Sequence, residues 1–295
     1  MANIYQQISS NKIRSGFILT LFIAFILVVA YIITVSFNLD NSLIIGAIAF
    51  SLISSLSGYF AGDKMVLSLN QAKPADNKNY FDFYTVVENL SQVNQTPVPK
   101  IYVIDSPAPN AFATGRDPQH ATVCATTGLL DKLNRTELEG VMAHELSHIK
   151  NYDTRLMTLV SVFVGSLSIL INSATRYSFF SRNDRNNDKQ GGGLLSIIGF
   201  ALIIFAPIIA QLIQLAISRR REFLADASAV KLTRQPKGLI NALIKISSDP
   251  NQMQTASTAT ASLYISNPFK NNKLASLFST HPPIEDRIKA LSQML

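Results

Sequence analysis

The sequence predicts a mainly α-helical integral membrane protein that also contains a folded α+β region with a small sheet. Hydrophobic residues make up 47% of the 295 residues and charged residues only 15%, and the mean hydropathy is +0.21. This composition is too apolar for an ordinary soluble globule. Several apolar runs reach the length of about twenty residues that a helix needs to cross a bilayer. Between them, residues 63–155 contain shorter runs and more turn residues, which indicates a region outside the membrane.

Residues 1–62 are predicted to form a hairpin of two transmembrane helices. The apolar runs at 16–37 and 42–61 are each long enough to span a bilayer, and a short polar turn separates them. Lys12 and Arg14 precede the first run, so the positive-inside rule places both ends of the hairpin in the cytoplasm. A cleaved signal peptide is the alternative for the first run, but the run is long and no small-residue cleavage motif closes it.

Residues 63–155 are expected to form the first part of the folded region. Apolar periodicity and flanking prolines predict one helix and three strands, at 81–93, 101–104, 110–115 and 121–127. A small sheet of this kind offers an edge with which an extended peptide can pair through backbone hydrogen bonds. His120 lies at the turn between the last two strands, where a solvated turn residue is favoured over a catalytic one.

The central motif of the chain is His144-Glu145-Leu146-Ser147-His148, which is typical of zinc hydrolases. On a helix, the spacing of four residues puts both imidazoles on one face, where both can reach a single ion. Glu145 points slightly off that line, where it can act as a general base. Thr136 and Glu139 predict the capping box that starts this helix. The alternative is a pair of surface histidines satisfied by water or backbone.

Residues 156–217 are predicted to form a second apolar hairpin, with the third and fourth transmembrane helices at 156–174 and 194–217. The connecting polar loop, 176–193, carries four basic residues. A four-span topology places this loop outside, which conflicts with the positive-inside rule. A hairpin that folds back onto the soluble part is therefore the open alternative.

The net charge of +7 does not indicate a nucleic-acid partner. The basic residues are scattered along the chain and collect beside apolar segments, where positive charges set membrane topology. The single cysteine, Cys124, excludes an internal disulfide, which fits a reducing compartment. We therefore expect these charges to flank a lipid bilayer.

Residues 218–295 are expected to complete the site. Glu222 and Asp226 share one helix face, so that Glu222 can complete a His-His-Glu zinc site while Asp226 holds a histidine ring. Pairing of Glu222 with the preceding arginines is the alternative. His281 lies in a loop fixed by two prolines. It is either a structural loop residue or a hydrogen-bond donor to an oxyanion.

Five motifs together resemble the HtpX family of bacterial membrane-bound zinc metalloproteases, and more distantly the prenyl-protein-processing proteases of the eukaryotic endoplasmic reticulum. In chain order they are Asn110-Ala111-Phe112-Ala113-Thr114-Gly115, Thr127-Gly128-Leu129-Leu130, the motif at 144–148, Arg221-Glu222-Phe223-Leu224-Ala225-Asp226, and Thr280-His281-Pro282-Pro283 with Arg287. The similarity covers nearly the whole chain. It implies a cytosolic, zincin-like α+β protease domain attached to transmembrane helices.

The resemblance also implies a role for individual residues. It implies that one Zn²⁺ per chain is bound by His144, His148 and Glu222, that Glu145 is the general base, and that Asp226 supports the ligands. It further implies that His281 and Arg287 help to stabilise the transition state. The strand that begins with Asn110, Ala111 and Phe112 is expected to border the substrate cleft.

The expected function is that of a zinc endopeptidase, which cleaves misfolded or damaged membrane proteins on the cytoplasmic side of the cell inner membrane. Its expected partners are polypeptide substrates and the lipid bilayer. Two alternatives remain open, a non-catalytic membrane adaptor that keeps the zinc fold and a hydrolase of a non-peptide bond.

Overall fold

The structure is a computed structural model. It describes residues 4–36, 40, 42–166, 219–253, 256, 259–269 and 282–295. The predicted polar loop at 176–193, the apolar run at 194–217 and His281 lie outside the described residues.

Two long apolar helices, α1 (Ile4–Ser36) and α2 (Ser42–Leu69), begin the chain and confirm the predicted helical hairpin. Both are long and apolar enough to cross a membrane, over Ile8–Val28 and Ile44–Leu69. Ile45, near the start of α2, leaves 69% of its surface exposed on the protein. A bilayer would cover such apolar side chains.

The sheet has four strands in the order β1-β2-β4-β3. The strands are β1 (Lys73–Pro74), β2 (Lys100–Ile104), β3 (Ala111–Gly115) and β4 (Ala121–Thr126). β2 and β4 are parallel and the other two pairs are antiparallel. The three predicted strands are confirmed, whereas β1 was not predicted because two residues are too short to show alternation. β3 is the outer strand on the side away from β1.

Seven further α-helices lie in the described part of the chain. They are α3 (Phe81–Asn94), α4 (Thr127–Lys132), α5 (Arg135–Lys150), α6 (residues 153–166), α7 (Arg219–Thr233), α8 (Pro236–Ser248) and α9 (Ile284–Ser292). α5 carries the histidine motif and packs against α3, α7, α8 and β3. Leu138 and Leu146 of α5 share one hydrophobic core with Leu239 and Leu243 of α8. Two predicted regions, 63–155 and 218–295, therefore build the same core around the site.

The capping box of α5 differs from the prediction. The N-cap is Asn134, whose side chain accepts a hydrogen bond from the backbone of Glu137 at 3.0 Å. The Glu137 carboxylate accepts one from the backbone N–H of Asn134 at 2.9 Å. The predicted pair, Thr136 and Glu139, has the same spacing, but the helix begins earlier, so both residues lie inside it.

Residues 248–266 are rich in Thr, Ala, Ser, Gln and Asn without a clear period, which predicts a mobile segment. This prediction is wrong for residues 259–266, which are buried in the protein. Tyr264 is fully buried, and its hydroxyl donates to Oδ1 of Asn70 at 2.9 Å. Thr260 donates to the same oxygen at 2.9 Å. Contacts with a residue so distant in sequence have no periodic signal, which explains the error.

A sharp corner joins α5 to α6. α5 ends with Asn151 as its C-cap, Tyr152 adopts a φ of 60°, and α6 begins at Asp153. α1 packs along α6, where the rings of Phe22 and Phe163 stack with their centroids 3.9 Å apart. The apolar helix α1 thus lies against the helix that continues from the histidine motif.

Candidate metal centre

Three side chains from two helices converge at the centre of the fold. Nε2 of His144 and Nε2 of His148 lie 3.2 Å apart. Each also lies 3.5 Å from a carboxylate oxygen of Glu222, which α7 places opposite α5. All three residues are buried, and they form a group that could hold a metal ion. The structure therefore brings together the three residues that the sequence predicted as metal ligands.

A carboxylate orients the other nitrogen of each imidazole. Nδ1 of His144 lies 2.9 Å from Oδ1 of Asp226, and Nδ1 of His148 lies 3.0 Å from Oδ2 of Asp153. Because an ionised carboxylate only accepts hydrogen bonds, Nδ1 carries the proton in each neutral ring. The lone pair of each Nε2 then points toward the other ring and toward Glu222.

These distances and donor types fit a zinc ion. Ligands that lie about 2.0–2.1 Å from a tetrahedral ion are about 3.3–3.4 Å from one another. The separations of 3.2 to 3.5 Å between the two Nε2 atoms and Glu222 match this value. Two imidazole nitrogens and one carboxylate are also the protein ligands of a common class of catalytic zinc site.

The electrostatics of the site favour positive charge. Burial and the charge of Arg287 lower the pKa of His144, but hydrogen bonds to Asp226 and Glu222 outweigh them and raise it to about 9. Burial lowers the pKa of His148, but the charge of Glu222 and the hydrogen bond to Asp153 leave it raised. A divalent cation between the ligands would supply the charge that these carboxylates attract.

Asp226 is held on its far side by Arg287 of α9. Nη2 and Nε of Arg287 donate to the two oxygens of Asp226 at 2.6 and 2.9 Å. Burial raises the pKa of Asp226, but the Arg287 charge and the bonds to His144 lower it to about 2. The carboxylate is therefore ionised at neutral pH. Arg287 itself is fully buried, and its Nη1 donates to the carbonyl of Ile265 at 3.3 Å.

Glu145 follows His144 on α5 and is 2% exposed. Burial lowers the pKa of Arg287, but the charge and hydrogen bond of Asp226 and the charges of Glu222 and Glu145 outweigh this effect and raise that pKa. Glu145 thus lies within the same buried group of charges as the three candidate ligands.

The predicted cleft residues lie at the start of the outer strand β3, which begins at Ala111 directly after Asn110. Asn110, Ala111 and Phe112 are all buried. The backbone N–H of Ile265 donates to the carbonyl of Ala111 at 2.9 Å. Nδ2 of Asn110 donates to the carbonyl of Ser266 at 2.9 Å. The outer edge of the sheet was expected to be open to substrate. Its first residues instead already form hydrogen bonds with residues 265 and 266 of the same chain.

The other two histidines of the chain are His120, which the structure describes, and His281, which it does not. His120 lies on the surface with 51% of its side chain exposed, and Nδ1 lies 2.7 Å from Oδ1 of Asp117. This contact agrees with the interpretation of His120 as a solvated turn residue. His281 is outside the described residues, so its predicted role stays a prediction.

Sequence reasoning missed Asp153 and Asn11 as neighbours of the site, and it did not predict that Arg221 contacts Asp153. Nδ2 of Asn11 donates to Oδ1 of Asp153 at 2.7 Å, and Nη1 of Arg221 lies 3.4 Å from the same oxygen. Asp153 follows His148 by five residues, which is not a spacing of one helix face. Its only signal in the sequence was its position just after the motif.

Comparison with known proteins assigns this arrangement to a family. The model of peptidase family M48 matches residues 82–295. A protein named protease HtpX homolog from Dictyoglomus turgidum is 43% identical over 98% of this chain and 94% of its own length. Homologs of the same name from Lactobacillus helveticus and Streptococcus equi subsp. zooepidemicus are 43% and 44% identical, over 99% of this chain and 100% of theirs. A crystal structure of S. mikatae Ste24p aligns with a TM-score of 0.47 and 20% identity, over 97% of this chain and 67% of that one.

Proposed function

The chain belongs to peptidase family M48 and is a membrane-bound metalloendopeptidase, and we propose that it uses zinc to cleave misfolded or damaged membrane proteins at the cytoplasmic face of the cell inner membrane. One observation carries the choice of zinc. His144, His148 and Glu222 present two imidazole nitrogens and a carboxylate at separations that suit a tetrahedral ion.

The proposed mechanism gives each residue one task. His144, His148 and Glu222 hold the ion through Nε2, Nε2 and a carboxylate oxygen. When bound, zinc lowers the pKa of a coordinated water toward 7 and polarises a carbonyl. The Glu145 carboxylate accepts the proton released in the attack on a peptide bond and returns it to the departing amine nitrogen.

Three further side chains are proposed to support this chemistry. Asp226 and Asp153 keep Nδ1 of the two histidines protonated, so that each Nε2 offers a lone pair. We assign Arg287 to positioning, because it is fully buried and two of its nitrogens bond to Asp226. His281 is proposed to donate a hydrogen bond to the oxyanion of the transition state, as the resemblance implies.

We propose that substrate binds in an extended form along β3. Backbone hydrogen bonds to an outer strand hold a peptide regardless of its side chains. The Ala111 carbonyl already accepts from Ile265. Because strand residues two apart face the same way, Ala113 presents its backbone outward as Ala111 does. Ala113 is therefore the proposed pairing position, and Asn110, Ala111 and Phe112 form the border of the cleft.

The proposal of membrane substrates is supported by the helices that adjoin the candidate metal centre. α5, which carries both histidines, turns directly into α6, and the apolar helix α1 packs along α6. With α1 in the membrane as proposed, the site would lie close to the point at which the chain enters the bilayer. The positive charges of Lys12 and Arg14 support a cytoplasmic orientation of this side.

The test is cleavage by the full chain purified in mild detergent. With one equivalent of zinc it is expected to cleave casein, and N-terminal sequencing of the products is expected to reveal new peptide ends. A zinc chelator is expected to stop cleavage and added zinc to restore it. Zinc binding without cleavage would favour the non-catalytic adaptor. Hydrolysis of esters without new peptide ends would favour the non-peptide hydrolase.

A further inference from the structure

We infer that Asn11 of the apolar helix α1 is a positioning residue of the metal centre, because it holds the imidazole of His148 in place through Asp153. The affinity of the site for metal then depends on the packing of α1 against α6. The inference rests on the proposed function, because it takes His148 as a metal ligand. It connects His148 to Asn11, which lies on a helix that was expected to serve only as a membrane anchor.

The contacts form an unbroken path from α1 to the metal centre. Nδ2 of Asn11 donates to Oδ1 of Asp153 at 2.7 Å, and Oδ2 of Asp153 lies 3.0 Å from Nδ1 of His148. Asn11, Asp153 and His148 are 2%, 2% and 5% exposed. Because the path is buried, water is a poor substitute for any member of it.

Asn11 also fastens the corner between α5 and α6. Its Nδ2 donates a second hydrogen bond to the carbonyl of Asn151, the C-cap residue of α5, at 2.9 Å. Both hydrogens of the amide nitrogen are thus used. One bond holds the end of the helix that carries His148, and the other holds the carboxylate that orients its ring.

The position of Asn11 in the sequence argues for this role. It lies inside the apolar window Ile8–Val28, where a polar group is costly unless it is paired. Such residues in apolar helices usually face the protein interior and mark function. An aliphatic residue at this position would suit an anchor better than an amide does.

The packing of α1 holds the amide in place. Phe22 stacks on Phe163 of α6, and Ile18 lies in the same apolar cluster. Nζ of Lys12 lies 4.5 Å from the ring centre of Tyr152, the residue at the corner. If α1 moved away from α6, the Asp153 carboxylate would keep His148 and the 3.4 Å contact with Arg221 but would lose its shortest donor.

The test compares zinc affinities of the full chain in detergent, measured by competition with a chelating dye. Asn11→Leu keeps the size of the side chain, suits an apolar helix and removes the donor. We expect it to weaken zinc binding about tenfold, the lower end of the effect of such outer hydrogen bonds on metal affinity. Ser15→Ala is the matched control, because Ser15 is buried one turn further along α1 and its hydroxyl donates only within the helix, to the Asn11 carbonyl. We expect it to bind zinc as the wild type does.

A double-mutant cycle separates positioning from general packing. In the background of Asp153→Ala the path to the His148 ring is already broken, so Asn11→Leu is expected to cause a clearly smaller loss of zinc affinity, limited to what its bond to the Asn151 carbonyl contributes. Equal weakening in both backgrounds, or no weakening in either, would overturn the inference. If the wild type itself binds no zinc, the proposed function fails and this inference falls with it.

Melting temperatures, measured with and without zinc, distinguish a loss of zinc affinity from misfolding of the variant. Zinc is expected to raise the melting temperature of Asn11→Leu less than it raises that of the wild type, because at one zinc concentration a ligand that binds more weakly stabilises the folded protein less. An equal rise in both proteins would contradict the inference. If Asn11→Leu aggregates, Asn11→Ser is the second variant, since its short side chain lacks the reach of the amide, and the same loss of zinc affinity is expected.

Discussion

Oδ2 of Asp153 lies 3.0 Å from Nδ1 of His148, and this contact ties the second histidine of the motif to the first residue of the following helix. The first histidine, His144, is held in the same way by Asp226 of α7 at 2.9 Å. Two carboxylates from two helices thus set the tautomer of both rings. The site depends on the correct placement of α5, α6 and α7 together.

The first prediction concerns the general base. Glu145→Gln keeps the size of the side chain but removes its ability to accept a proton. We expect cleavage of casein to fall by about 10²–10⁴-fold, the usual contribution of a general base. Zinc content, measured by atomic absorption, is expected to remain that of the wild type.

Glu139→Gln is the control for this change, because Glu139 lies on the same helix but pairs with Arg135 at 3.4 Å. It is expected to leave cleavage unchanged. Normal turnover by Glu145→Gln would sink the proposed mechanism, whereas a loss of zinc would show that the variant disturbs the ligands instead.

The second prediction concerns the third ligand. Glu222→Ala removes the zinc ligand that we propose on α7, so the zinc content of the purified protein is expected to fall well below one ion per chain. Glu88→Ala, at an exposed position of α3, is expected to retain full zinc content. One zinc per chain in Glu222→Ala would exclude Glu222 as the third ligand.

Much of this site was visible in the sequence because it rests on local spacing. The helix spacing of His144 and His148, and that of Glu222 and Asp226, predicted side chains that the structure does bring together. Apolar periodicity likewise predicted α3, β2, β3 and β4.

What the sequence did not predict depends on contacts between distant segments. Asn11 meets Asp153 across the interface of α1 and α6, and Ile265 bonds to Ala111 across the outer edge of the sheet. Neither contact has a periodic pattern, since packing of the whole chain creates it. The start of α5 was misplaced by two residues because Asn134 with Glu137 and Thr136 with Glu139 have the same spacing.

The third prediction concerns the buried pair of Asp226 and Arg287. Arg287→Leu would leave the carboxylate of Asp226 buried without its cation. Breaking a buried ion pair costs about 3–5 kcal/mol of stability, so a clear fall in melting temperature is expected even without metal. Lys289→Leu, at an exposed position of the same helix α9, is expected to melt as the wild type does.

A residue that served only to stabilise the transition state would behave differently. Its loss would reduce cleavage while leaving the melting temperature of the metal-free protein unchanged. That result for Arg287→Leu would restore the role that the family resemblance implies for this arginine.

The last prediction concerns the path of the chain between α6 and α7. The four-span topology places the loop at 176–193 outside the cytoplasm, although its four basic residues favour the opposite side. A protease site inserted in this loop is expected to be cut by external protease in cells with a permeabilised outer envelope. The same site inserted at Lys78, in the folded region, is expected to be protected. Protection of both sites would instead require a hairpin that folds back on the cytoplasmic side. Because α6 and α7 carry Asp153 and Glu222, either path must return the chain to the side on which α5 lies.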